Sequence, residues 1–295
     1  MKTLVIQARP GIGDMCVFLP FIHEIAKIEK TKVTILTKER SSAKNLVKND
    51  PYIEDVIYLS DRLNLEFIKK LKSQRFKKCY LFHYGLKFIL LSLFCRINKI
   101  FSYGLIKKNK NISLEPKNHL KKWFNLETLN YECKIFYPEN NENKNNIIIG
   151  IGGSGLTKKW NIKNYLYLIN QLNKKYKDCK FIIAGGNDEI KDFEFLKNNY
   201  SEKNLFSICN LNIEEAIGFI NSSKMYIGND TGFMHISGML GVRTFGLFGD
   251  TPTNYVEYNK LIVPIIPEGY SSIGHNSRAI DKIEVDWVLK KANKD

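Results

Sequence analysis

Four turns in this sequence gather residue types that chemistry needs, each just after an apolar, strand-like run. The sharpest is Gly228-Asn229-Asp230-Thr231-Gly232, followed one helical turn later by His235. Small residues at a helix start leave backbone N–H groups free, and the helix dipole adds positive potential, so this turn suits a pyrophosphate. His235 could donate to the same group, although a lone histidine on a helix face is also an ordinary structural residue. A second turn holds Gly150, Gly152, Gly153 and Gly155 with Ser154, Thr157, Lys158 and Lys159. Such a loop is flexible, cationic and rich in N–H donors, again suited to phosphate. The third, Gly185-Gly186-Asn187-Asp188-Glu189, brings carboxylates to a strand end where a sugar hydroxyl could bind; acidic helix starts after Gly-Gly also occur for purely structural reasons.

The fourth turn, Gly11-Ile12-Gly13-Asp14, opens the first helix. Its glycines allow a tight turn and close backbone approach. A carboxylate beside a phosphate is repelled, so Asp14 is better placed as a general base or hydroxyl anchor, with helix capping as the alternative. No third glycine completes a dinucleotide fingerprint after Gly11 and Gly13, which counts against a nicotinamide dehydrogenase. No Gly-Lys-Ser/Thr follows either, so a P-loop is excluded.

These turns need a scaffold that places strand ends side by side. Strands are expected at 4–7, 32–37, 55–59 and 78–82, with helices at 13–30, 41–48 and 64–73 between them. Residues 101–137 lose any clear period around Gly104, Pro116 and Trp123. The polar run from Pro138 to Asn146 reads as a linker. The alternation then restarts: strands at 147–151, 180–184, 205–209, 225–227 and 242–248, helices at 163–175, 188–198, 213–220, 232–240 and 285–294. Strands alternating with helices of this length form parallel sheets covered on both faces. The expectation is therefore an α/β chain of two Rossmann-like doubly wound domains, 1–140 and 141–295, facing a cleft.

Composition bounds the partners. The chain has 295 residues, enough for two domains, with 44% apolar and 25% charged residues. Its 45 Lys and Arg against 30 Asp and Glu give a net charge of +15, which favours an anionic partner. Much of the excess lies in scattered pairs such as Lys69-Lys70 and Lys121-Lys122, the pattern of solvated helix faces. A non-catalytic polyanion-binding protein would explain the charge but not the glycines and carboxylates at strand ends. The six cysteines form no Cys-x-x-Cys pair and several sit in apolar runs, as expected for core residues of a reducing, cytoplasmic compartment. No cluster has metal-ligand spacing. The longest apolar run, residues 88–95 between Lys87 and Arg96, is far below the roughly 20 residues of a membrane span. It could still rest on an anionic leaflet, or be a buried helix face.

The motifs, taken in order, resemble the heptosyltransferase family, glycosyltransferase family 9, of the GT-B fold. Gly13-Asp14 with Pro20, then Lys158-Lys159-Trp160, then Asp230-Thr231-Gly232 with His235 and the later Phe245-Gly246-Leu247-Phe248-Gly249 carry the likeness. It departs at Asn161, where the family often has Pro, and at His83-Tyr84-Gly85 in the acceptor-side half. The resemblance implies inverting transfer of a sugar, heptose from ADP-heptose, to a lipopolysaccharide core or related anionic glycan acceptor. Another nucleotide sugar is the alternative. Asp14 takes the role of general base. Gly13, Ser154, Thr157, Lys158, Asp188, Glu189, Asp230, Thr231, Gly232 and His235 form the expected donor-binding set. No metal or other cofactor is implied and no nucleic-acid partner is expected; the net charge of +15 and the basic-flanked run at 88–95 are what point to peripheral contact with the inner face of the cytoplasmic membrane.

Overall fold

Short runs rich in Ile, Val and Leu become buried strands, and the amphipathic stretches between them become helices covering both faces. The computed structural model describes residues 2–60, 64–105, 111–138 and 145–293. The chain divides into two compact units, Met1–Phe136 and Tyr137–Asp295. Most of the expected linker, residues 139–144, lies outside the described residues, as does Lys294 of the expected closing helix.

The first unit runs β1 (Thr3–Ile6), α1 (Ile12–Glu29), β2 (Val33–Thr37), α2 (Ala43–Leu46), β3 (Ile53–Tyr58), α3 (Leu65–Ser73), β4 (Lys78–Leu81), α4 (Lys87–Phe94), β5 (Lys99–Ser102) and α5 (Leu114–Phe124). Its five strands lie in the order β3-β2-β1-β4-β5, all parallel. Every residue of β1 and β2 is buried, which is why they read as unbroken apolar runs rather than alternating ones. α5 lies in the stretch that showed no period, and β5 runs into its start. β5 is a short, half-buried edge strand. Pro116 sits in the first turn of α5, where its missing N–H leaves no bond unmade.

The second unit runs β6 (Asn146–Gly150), α6 (Ile162–Lys175), β7 (Lys180–Ala184), α7 (Ile190–Asn199), β8 (Leu205–Ser207), α8 (Ile213–Asn221), β9 (Ser223–Asn229), α9 (Gly232–Met239), β10 (Arg243–Leu247), β11 (Ile262–Ile265) and α10 (Val285–Asn293). Its six parallel strands lie in the order β11-β10-β9-β6-β7-β8. β11 was not legible, because Pro264 interrupts its pattern; at a sheet edge that proline removes no essential ladder bond.

Both sheets reverse their winding once, between β1 and β4 and between β6 and β9. Ligands of such sheets bind outside the carboxyl ends of the strands at these reversals. The turns after β1, β6 and β9 are three of the four singled out above. Five of the six cysteines are buried and none is in a disulfide; burial pushes the Cys79 thiol up to about 12. No helix among the described residues is long and apolar enough to cross a membrane.

Candidate functional site

In the second unit the site is built around one amide. Asn229 ends β9 fully buried. Its Oδ1 accepts from the Trp160 N–H at 3.2 Å and from the Tyr165 hydroxyl at 2.8 Å. Its Nδ2 donates to the carbonyls of Ile151 at 3.0 Å and Gly152 at 2.9 Å. All four positions of the amide are used, so the Gly-rich loop after β6 is tied to the end of β9. Close approach helps: Gly228 pairs with Gly150 across the ladder, and a Cβ on Gly228 would collide with the Gly150 backbone. The Tyr226 hydroxyl lies beneath the turn, 3.1 Å from the Asn229 carbonyl and 3.3 Å from Thr231 Oγ1.

Above this tie the candidate residues separate. Lys158 Nζ stands 3.4 Å from Asp230 Oδ2, and His235 Nε2 stands 3.8 Å from Asp230 Oδ1. His235 is buried and its Nδ1 lies 2.9 Å from the Tyr258 hydroxyl. Thr231 and Gly232 begin α9, so its first free N–H groups open beside this charged cluster. Thr157 donates its hydroxyl to Asp250 at 2.8 Å. Burial pushes the Asp250 carboxyl up, but the Thr157 hydroxyl and the backbone N–H groups of residues 276–278 outweigh it and hold the group below its usual range. Ser154 is exposed at the loop tip.

The third turn divides its two carboxylates. Asp188 is exposed, whereas Glu189 is buried, accepts from the Gly186 N–H at 2.7 Å and pairs with Lys159 at 2.5 Å. Adjacent lysines thus serve different turns: Lys158 faces Asp230 and Lys159 is held by Glu189.

Asp14 shows the same local fold in the first unit. It is the third residue of α1, and its Oδ2 accepts from the Gly11 N–H at 3.2 Å. Its other oxygen accepts from Arg9 Nε at 2.6 Å. Gly13 is half-buried beside it in the first turn of α1. Asp14 therefore caps the helix and also presents a carboxylate fixed on both sides, with lone pairs left for a further donor. Around the β1–β4 reversal stand Tyr84, of the His83-Tyr84-Gly85 turn noted above, and groups that the sequence did not single out. Tyr84 donates to Glu115, whose carbonyl lies 3.0 Å from His119 Nδ1. Burial raises Glu115 to about 6. Tyr103 is raised by burial, with Arg9 opposing. No local signal marked Glu115 or Arg9, since their partners come from distant segments or from plain loop residues. Among the described residues no group of three or more His, Cys, Asp or Glu could hold a metal ion.

Glu115 gives a pH signature. With its folded value above the ordinary 4.5, the buried carboxylate costs stability once ionised, a cost absent below about 4.5 and complete above about 6. Glu115→Gln is therefore expected to melt higher than the wild type at pH 7.5 and to lose that advantage by pH 4.5. A difference in melting temperature that is flat across this window would show that the carboxyl is not strained by burial.

Two covered parallel sheets, each with its candidate residues at a winding reversal, define the GT-B class of fold. The chain belongs to glycosyltransferase family 9 (heptosyltransferase), whose model matches residues 102–270, more than half of it. It is 29% identical over 161 residues to lipopolysaccharide heptosyltransferase 1 of Campylobacter coli; the match spans 50% of this chain and 46% of that protein, about half of either. Two solved structures share the fold along nearly the whole length. The E. coli heptosyltransferase WaaC with ADP has a TM-score of 0.77 at 13% identity, covering 100% of this chain and 99% of the other. The family 9 glycosyltransferase of Veillonella parvula has a TM-score of 0.79 at 15% identity, covering 99% and 96%. The matched family segment includes every candidate residue of the second unit and leaves out Gly13 and Asp14.

Proposed function

We propose that this chain transfers heptose from ADP-heptose, with inversion, to a lipopolysaccharide core or related anionic glycan acceptor. The observation that carries this reading is the convergence of Lys158, Asp230 and His235 on the free N–H groups that open α9. A diphosphate placed there meets the positive end of a helix and Lys158, while Asp230 is turned onto Lys158 and His235, which offset its repulsion; the helix end and Lys158 stabilise the charge that develops on the leaving nucleotide. Asp14 accepts the proton of the acceptor hydroxyl as its oxygen attacks the anomeric carbon. The bond from that carbon to the diphosphate breaks, and ADP departs with the electron pair. One displacement inverts the centre without a covalent intermediate. The chemistry requires no metal or other cofactor, because Lys158 and the α9 N–H groups supply the positive charge. The acceptor is met at the inner membrane face, in keeping with the net charge of +15.

Calorimetry with ADP, UDP, GDP and CMP is expected to give tightest binding for ADP; failure of ADP to bind would reject the donor assignment. Lys158→Ala should weaken ADP binding at least about tenfold, the worth of a lost charge-assisted contact. His235→Ala should weaken it too, whereas Lys159→Ala, which removes only the partner of Glu189, should change it little. Unchanged affinity in the Lys158 and His235 variants would move the diphosphate off this turn.

A further inference from the structure

Two features of the first unit adjoin one another away from Asp14. The first is α4. Phe88, Leu91, Ser92 and Cys95 are buried, at the spacing of one helix face. The opposite stripe is apolar as well, yet open: Leu86 is 56% exposed, Leu90 47%, Leu93 55% and Phe94 65%. The second is a cavity of about 460 Å³ lined by Lys69, Lys72, Arg75, Lys77 and Arg96. Among the described residues none of these five cations pairs with a carboxylate. The negative ends of α3 and α4 accommodate one or two of them; five converging from three segments call for a counter-ion.

The two features meet. Phe94 ends the apolar stripe and Arg96, two residues on, lines the cavity. An anionic headgroup beside acyl chains has that same layout. A second copy of this chain fits badly, because a symmetric contact through α4 would bring two uncompensated cation clusters towards each other. We propose that the first unit docks on an anionic phospholipid surface, a headgroup phosphate entering the cavity between α3 and α4 while Leu86, Leu90, Leu93 and Phe94 insert among the acyl chains. The proposal takes its purpose from the membrane-side acceptor above but not its chemistry.

Sedimentation of the full chain with vesicles tests it. Binding is expected with phosphatidylcholine containing phosphatidylglycerol and not with phosphatidylcholine alone. The double variant Lys72→Gln, Arg96→Gln should weaken that binding about 25-fold, some fivefold for each cation near an anionic surface. Leu90→Ser with Phe94→Ser should weaken it at least about tenfold through lost apolar burial. Both variants should keep wild-type melting temperatures and ADP affinity. Vesicle binding unaltered in either variant would overturn the proposal. So would full release by inorganic phosphate at constant ionic strength, which would mark a free-phosphate site. A dimer in sedimentation velocity that dissociates in the Leu90, Phe94 variant would overturn it as well, assigning the stripe to a second copy. Vesicle binding by a chain that fails to bind ADP would sink the donor reading and leave this one standing.

Discussion

Asp14→Asn is expected to lower turnover about 10²- to 10⁴-fold, the range for loss of a general base, while ADP affinity stays at the wild-type level. The substitution is chosen because it separates two roles that the structure gives one side chain. Asparagine retains an oxygen that can accept from the Gly11 N–H, so the first turn of α1 is kept. What it loses is the negative charge paired with Arg9 and the ability to take up a proton. Turnover is read as ADP released in the presence of acceptor, and the melting temperature is followed in parallel. A variant that turns over near the wild-type rate would leave Asp14 as a helix cap and Arg9 partner only. A variant that fails in turnover and also melts well below the wild type would assign the loss to the turn rather than to proton transfer.

The largest effect on stability is expected at Asn229. Asn229→Ala removes a fully buried amide and leaves two carbonyls and one N–H without their partner, while the Tyr165 hydroxyl keeps its bond to the Gly150 carbonyl. At roughly 1 kcal/mol or more for each of the three groups left unpaired, the second unit should lose about 3 kcal/mol. For a unit of this size that lowers the melting temperature by about 10 °C. Asn229→Asp is a sharper variant, because it sets a carboxylate oxygen against the Ile151 and Gly152 carbonyls. Donor affinity should fall with stability, since the loop carrying Lys158 is held through Trp160 and this amide. A loss below about 1 kcal/mol would mean that water or backbone rearrangement replaces the lost bonds and that the loop is positioned otherwise.

The central strands and most helices were legible because burial on both faces forces continuous apolar runs, as in β1, β2 and β6. The elements that escaped are edge strand β5, α5 with its early proline and β11 with Pro264, whose patterns are weak or interrupted, and α4, whose apolar run left a helix face and a lipid contact both open. At the site, local chemistry was legible and pairing was not. The sequence could bring Asp188 and Glu189 to one turn but not choose between them; the short helical turn at Asn187–Glu189 sends one outward and the other inward. Lys158 and Lys159 are likewise adjacent, yet they reach Asp230 and Glu189 respectively. Thr157 finds Asp250 across 93 positions and Asn229 finds the Gly152 carbonyl across 77, separations at which no local pattern operates. Asn229 did carry one usable signal: an amide ending an apolar strand must find partners once buried.

Trp160 follows Lys158 by two residues, and the chain has only three tryptophans. Its indole is buried edge-on to Tyr165, with ring centroids 5.0 Å apart, and its Nε1 donates to the Ile283 carbonyl at 2.9 Å. Trp123 belongs to the first unit, and the half-buried Trp287 lies on α10, with its Nε1 donating to the Ile266 carbonyl. The loop that holds Lys158 therefore carries its own optical label. The indole is apolar on its faces and anchored at its nitrogen, so any rearrangement of the loop about a bound nucleotide changes the surroundings of an emitting ring without a dye attached.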